Sequence, residues 1–268
     1  MIPLKEFSIK HLRNLRAVFT DIDDTLTTDG QLTAQAYTAI SDLQAAGVAV
    51  VPITGRPAGW CDLIARLWPV SGVVGENGAF YFQYDRIQKR MNRHYADPPA
   101  VREEKREKLA KILAEILSNV PGAAISADQQ YRETDLAIDF AEDVEPLSNP
   151  AIDRIVAYFL SHGATAKVSS IHVNGWIGDY DKLTMTRVFA NQCWGQNLEE
   201  SNDEYLFVGD SPNDAPMFEY FNHSIGVANV VTLKDRLPSP PKYITEQEAG
   251  AGFAEVAATI LEARGSVG

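Results

Sequence analysis

Ala17-Val18-Phe19-Thr20-Asp21-Ile22-Asp23-Asp24-Thr25 decides how this chain is read. The first four residues form a short β-prone run that ends directly on an acidic turn. In an extended segment residues i and i+2 point the same way, so Asp21 and Asp23 face one site. Two carboxylates together at the carboxyl edge of a parallel sheet are costly unless a cation neutralises them. Magnesium prefers such hard oxygen ligands. One carboxylate can then act as nucleophile and the other as acid/base, because their surroundings separate their pKa values. Alone, the same string also fits an acidic surface turn ahead of a helix.

The flanking pattern supports an α/β fold. Thr33 to Ala46 reads as a helix capped by Thr33, with Ala36, Ile40 and Leu43 on one face and Gly47 just past its end. Val48 to Ile53 is a nearly unbroken apolar run, as expected for a strand buried on both faces of a parallel sheet. A second helix is expected over Pro57–Trp68, and strands over Gly72–Gly75 and Ala79–Tyr84. The pattern then changes to helix, two strands, helix, two strands, an α+β unit. Helix–strand alternation resumes after Gly178 with Lys182–Cys193, Tyr205–Val208, Ala215–Phe221, Ser224–Ala228, Tyr243–Thr245 and Phe253–Ala263. The expectation is a Rossmann-like parallel-sheet core in two parts, residues 1–85 and 179–268, interrupted by an inserted module over 86–178.

Three further features change the weight of the first. Thr54-Gly55-Arg56 follows the second buried strand, where a hydroxyl and nearby backbone N–H groups can hold an anion. Lys182 opens a helix soon after the insert. Gly209-Asp210-Ser211-Pro212-Asn213-Asp214 again sets carboxylates just past a strand. Each has an ordinary reading as a turn, a surface lysine or a helix cap. Ligand sites of open α/β sheets lie outside the carboxyl ends of the strands, so these segments should converge.

The bulk numbers narrow the class. A net charge of −12 repels polyanions at long range, which argues against nucleic acid and anionic membrane as partners. Screening beyond about 8 Å leaves a local cation and one lysine free to dominate a pocket that takes a small phosphorylated metabolite. No apolar run reaches the ~18 residues of a membrane span, and Met1 to Lys10 has no signal-peptide pattern. The two cysteines, Cys61 and Cys193, read as reduced thiols of a cytoplasmic protein, with a disulfide between them as the alternative.

Asp21-Ile-Asp-Asp-Thr25, Thr54-Gly-Arg56, Lys182 and Gly209-Asp-Ser-Pro-Asn-Asp214, in that order, resemble the haloacid dehalogenase-like superfamily over nearly the whole chain. The position of the insert, Glu76-Asn77-Gly78-Ala79 before it and Gly252-Phe253 near the end resemble its subfamily IIB phosphatases, which carry a C2B-type cap. The resemblance implies that Asp21 attacks phosphorus, that Asp23 serves as acid and then base, and that Thr54 and Lys182 hold the phosphoryl group. It implies magnesium held by the Asp21 and Asp210 carboxylates and the Asp23 carbonyl, supported by Asp214 and Asn213. Gly55, Arg56 and Asn77 join the phosphate or substrate contacts. Family dehalogenases lack the acid/base that Asp23 provides, so phosphoryl transfer is expected. Asp24 stands where this subfamily commonly has glycine, and Asp179-Tyr180-Asp181 replaces the usual small residues before the lysine.

In this family the cap sets substrate choice, which points to Arg132, His172, Asn174 and, less directly, His94. Ser170-Ile-His-Val-Asn174 resembles phosphatases of sucrose phosphate, trehalose phosphate or mannosyl-phosphoglycerate; an ordinary polar strand face is its other reading. The expected activity is hydrolysis of a sugar phosphate by a monomer or homodimer. A phosphomutase on the same fold and a non-catalytic binding protein are the alternatives.

Overall fold

Val18 and Phe19 are adjacent and both fully buried, yet they belong to different hydrophobic clusters. Successive side chains of a strand point to opposite faces, so this strand must be covered on both sides. In the computed structural model, which describes residues 1–169 and 171–265, Ala17–Thr20 lies inside a six-stranded parallel sheet. The spatial order is Ile2–Pro3, Tyr243–Ile244, His223–Gly226, Tyr205–Gly209, Ala17–Thr20 and Ala49–Pro52. Val18, Val50 and Leu206 meet Ile40, Leu43, Val256 and Ile260 of the helices Ala34–Ala45 and Ala249–Arg264. On the other face Phe19, Val51 and Phe207 meet Met185, Phe189 and Phe218, carried by Lys182–Trp194 and Ala215–Tyr220.

The helix ends follow from local chemistry. Thr33 accepts a hydrogen bond from the Ala36 amide at 3.2 Å, as its capping position requires. Asp181 does the same for Thr184 at 2.7 Å, and Gly195 closes that helix in the left-handed region. The Trp176 indole donates to the Tyr180 carbonyl at 3.1 Å. Asp179-Tyr180-Asp181 thus provides a core anchor and a cap immediately before Lys182.

A bridge from Ile53 to Val74 adds the strand Val73–Gly75 to the open edge of the core. That strand continues antiparallel through Phe80–Asp85 and Arg90–Tyr95. Met91 and Tyr95 pack on the core cluster, so the first core part runs to about residue 95 and not 85. His94 consequently belongs to the core hairpin, where it stacks on Tyr81 at 5.2 Å, and it is not among the residues lining the cleft.

The cap is a four-stranded antiparallel sheet ordered Thr165–Val168, His172–Trp176, Leu136–Asp139, Ala124–Ile125. The helices Pro99–Asn119 and Asn149–Ser161 back it through Ile112, Ile116, Ile155 and Phe159. Val173 joins that cluster, so the period of two turns His172, Asn174 and Trp176 to the opposite face, toward the core. No described helix is long and apolar enough to cross a membrane. Cys61 is buried, Cys193 is half-buried, and the two are unpaired.

Gly78 ties the edge hairpin to the helix that carries Lys182. Its φ is +104°, and a Cβ there would lie 2.0 Å from the Asp181 carbonyl oxygen. Gly78→Ala is expected to lower unfolding free energy by about 3 kcal/mol, since it adds both strain and overlap. A urea midpoint unchanged from the parent chain would contradict this.

Candidate active site

The parallel register lines up the ends of three neighbouring strands. The Asp21 amide donates to Val208 at 2.9 Å and Ile53 to Thr20 at 2.7 Å, so Asp21, Thr54 and Asp210 emerge at one sheet edge. Pro212 then starts a tight 3-10 turn, with Ser211 and Asp214 forming a reciprocal capping box. That turn sends Asp214 back beneath Asp210, whose amide it accepts at 3.1 Å. Carboxylate oxygens of Asp21, Asp210 and Asp214 come within 4.8 Å of one another. The Lys182 ammonium lies between two of them, 2.7 Å from Asp21 and 2.7 Å from Asp214.

All four side chains are buried. Burial pushes the Asp21 carboxyl up to about 8, against the pull of Lys182 and with the added repulsion of Asp214 and Asp23. Burial likewise holds Asp210 well above the usual carboxylate range, with Asp21 and Asp214 adding to it. For Lys182 burial works against the charge, yet Asp21 and Asp214 outweigh it and raise its pKa. One lysine against three carboxylates leaves two negative charges uncompensated in a desolvated place. That donor set, all hard oxygen, fits a divalent ion such as magnesium.

Thr25, at the end of the first motif, and Asn229, outside every expected motif, complete the cradle. Thr25 donates to Asp210 at 3.3 Å, and the Asn229 amide bridges Asp210 (3.1 Å) and the Asp24 carbonyl (3.0 Å). Asn229 lies in an irregular 3-10 stretch, Ala228–Arg236, and no spacing in the sequence singles it out. Asp24 has φ +55°, a left-handed conformation that aspartate tolerates better than most residues and glycine better still. This explains why Asp24 can stand in a glycine position. Thr54 turns its hydroxyl to the Arg56 amide at 3.0 Å, and Ser211 donates to Asn213 at 2.7 Å.

A cleft between core and cap is lined by Asp21, Asp23, Gly55, Arg56, Ser211 and Asn213 on one side, and by Arg132, Ser169, Ile171, His172 and Asn174 on the other. Arg56 lies across the boundary. Its Nε is 3.0 Å from Asp23, while its Nη2 reaches Asp23 at 2.9 Å and Glu142 of the cap at 3.0 Å. Arg132 reaches back to the Gly55 carbonyl at 2.8 Å. Glu76 is a second seam: its carboxylate accepts the amides of Ala58, Glu133 and Thr134 at 2.9, 2.9 and 2.7 Å. Asn77 is buried in the left-handed region next to Gly55, and its amide nitrogen has no hydrogen-bond partner among the described residues. Ser170 lies outside the described residues.

A family model described as haloacid dehalogenase-like hydrolase matches residues 18–135 and 182–256. The chain belongs to that family and is a hydrolase. A phosphoglycolate phosphatase of Methanothrix thermoacetophila is 24% identical over 248 residues, 90% of this chain and 95% of that protein. A crystal structure of a Thermoplasma acidophilum protein superposes with a TM-score of 0.69 at 17% identity, covering 92% of this chain and 98% of the other. A subclass IIB sugar phosphatase of the superfamily gives 0.61 at 14% identity over 94% and 100%. The core with inserted cap is therefore the subclass IIB fold.

The raised carboxyls have a consequence for stability. A folded-state pKa above the unfolded value means that the native state binds the extra proton, so rising pH removes stability. Without added divalent ion, the melting temperature should fall between about pH 4 and about pH 8, the window set by Asp21. Magnesium at millimolar concentration should restore most of the loss at pH 8 and little at pH 5, readable by thermal scans with and without chelator. Equal magnesium effects at both pH values would contradict the arrangement.

Proposed function

We propose that this chain is a magnesium-dependent phosphatase that hydrolyses a small phosphate monoester through Asp21. The supporting observation is the buried Lys182 ammonium 2.7 Å from Asp21, in a cluster that opens onto a cleft also lined by Asp23. In this reading the Asp21 carboxylate attacks phosphorus and the bond to the leaving oxygen breaks. Asp23 gives that oxygen its proton. Asp23 then takes a proton from water, which attacks the aspartyl phosphate, releases phosphate and restores Asp21. Lys182 and the Thr54 segment hold the phosphoryl oxygens while charge spreads over them. Magnesium, held by Asp21, Asp210 and the Asp23 carbonyl with Asp214 and Asn213 behind, would supply the remaining positive charge.

Arg56 clamps the Asp23 carboxylate and reaches Glu142 of the cap, while its Nη1 has no hydrogen-bond partner among the described residues. The named relatives support a small phosphorylated metabolite, one through phosphoglycolate and another through sugar phosphates. The net charge of −12 supports the same class over nucleic acid or an anionic membrane. A cytoplasmic monomer or homodimer acting on such a metabolite completes the reading.

Asp21→Asn is expected to lower magnesium-dependent phosphate release from an aryl phosphate by about a thousandfold or more, as for removal of a nucleophile. Its melting temperature should stay level or rise, because one buried charge is gone. A variant that retains activity removes Asp21 from the nucleophile's role. Accumulation of an isomeric phosphosugar in place of free phosphate would indicate a mutase.

A further inference from the structure

Three basic side chains line the cleft, Arg56 from the core and Arg132 and His172 from the cap, and acids face each of them. Arg132 donates to Asp128 from Nε (2.9 Å) and Nη2 (3.0 Å), and to Asp135 (3.0 Å) and the Gly55 carbonyl (2.8 Å) from Nη1. Arg56 is taken up by Asp23 and Glu142, with Asp128 at 3.6 Å. His172 lies 2.9 Å from the second Glu142 oxygen. Two arginines and, when protonated, one histidine thus meet four carboxylates. A ligand carboxylate entering this half of the cleft would find every described lining cation already within ion-pair distance of an acid, although the Arg56 Nη1, 3.6 Å from Asp128, lacks a hydrogen-bond partner. It would instead meet a field that is negative on balance. What remains for a leaving group is neutral: Ser169, Asn174 and Asn213 line the cleft and offer hydroxyl and amide groups.

Glu142 is the acid on which this balance turns. It touches both Arg56 and His172, and it reaches them from a loop that Asp139 fixes by accepting the Ala141, Glu142 and Asp143 amides at 2.9, 2.8 and 2.9 Å. Asp128 and Asp135 are buried deeper and are committed to Arg132, whereas the Glu142 side chain is 27% exposed. Its removal would take one of two acids from Arg56, which keeps Asp23, and the acid partner of His172, without opening the interior. We propose that Glu142 makes this cleft select a neutral, hydroxyl-bearing leaving group over one that carries a carboxylate. The inference rests on the phosphatase reading for the orientation of the ester, with phosphate at Asp21 and the leaving group toward the cap. It separates the two substrate classes to which the relatives point, and it favours the neutral one.

The test compares 2-hydroxyethyl phosphate with 2-phosphoglycolate, which differ at the far end in a hydroxymethyl against a carboxylate group. The parent enzyme with magnesium should favour the neutral ester by about tenfold or more in kcat/KM, the scale of one unpaired charge at close range. Glu142→Gln should cut that preference about tenfold through a gain on phosphoglycolate, and Glu142→Asp should return it toward the parent value. Calorimetric binding of both esters to Asp21→Asn, with and without Glu142→Gln, reads the same selection in the absence of turnover. Parent preference for phosphoglycolate overturns the proposal, as does a Glu142→Gln loss equal on both esters. Selective binding with no turnover of any ester by the parent chain would leave this inference standing and remove the phosphatase reading.

Discussion

A single buried ammonium group organises this protein. Lys182 enters at the first turn of its helix and bonds to Asp21 and Asp214, which stand on loops after two neighbouring strands. Because Lys182 is only 4% exposed, its charge would be prohibitive without those partners, and theirs without it. The arrangement still leaves Asp210 and one further charge uncompensated. An excess of buried negative charge at the carboxyl edge of a sheet makes a site that a divalent ion and a phosphoryl group can complete together.

Acids outnumber bases on both sides of the cleft. At the sheet edge three carboxylates face one lysine, a donor set that a divalent ion could complete. Toward the cap Arg56 and Arg132 are surrounded by Asp23, Asp128, Asp135 and Glu142. Glu142 itself is drawn down to about 2 by its bond to His172 and by Arg56, against partial burial, so it stays ionised across the physiological range. Both sides of the cleft are thus acidic on balance. Arg56 spans both, since it holds the Asp23 carboxylate with one edge of its guanidinium and the cap with the other.

The seam between core and cap combines the packing of Trp176 on the core with directional polar bonds. Glu76 accepts the Ala58 amide of the core and the Glu133, Thr134 and Asp135 amides at the entry to a cap strand, and Arg132 returns a bond to Gly55. Burial pushes Glu76 up to about 7, with Asp135 adding to the effect and Arg132 opposing it. A carboxylate held mainly by backbone donors tolerates burial because each amide stabilises the charged form. Such directional bonds fix the cap's register over Asp21 more sharply than apolar packing would.

The primary sequence alone carried the alternation of strands and helices, the insert, and the motifs at Asp21, Thr54, Lys182 and Asp210, because short-range periodicity and turn chemistry encode them. It placed the insert's start too early, since Arg90–Tyr95 is polar and half-exposed and becomes a core strand only by pairing with Phe80–Asp85. Asn229, Glu142, Asp128 and Asp135 gave no local signal. Asn229 and Glu142 act through partners far away in the chain, and Asp128 and Asp135 flank Arg132 at i−4 and i+3 outside any regular helix, so a polar residue on a loop looks alike whether it meets water or a buried charge. Side-chain chemistry and spacing determined what could react; only the folded chain decided which charges are cancelled, because Coulomb interactions depend on distance and burial and not on order along the backbone.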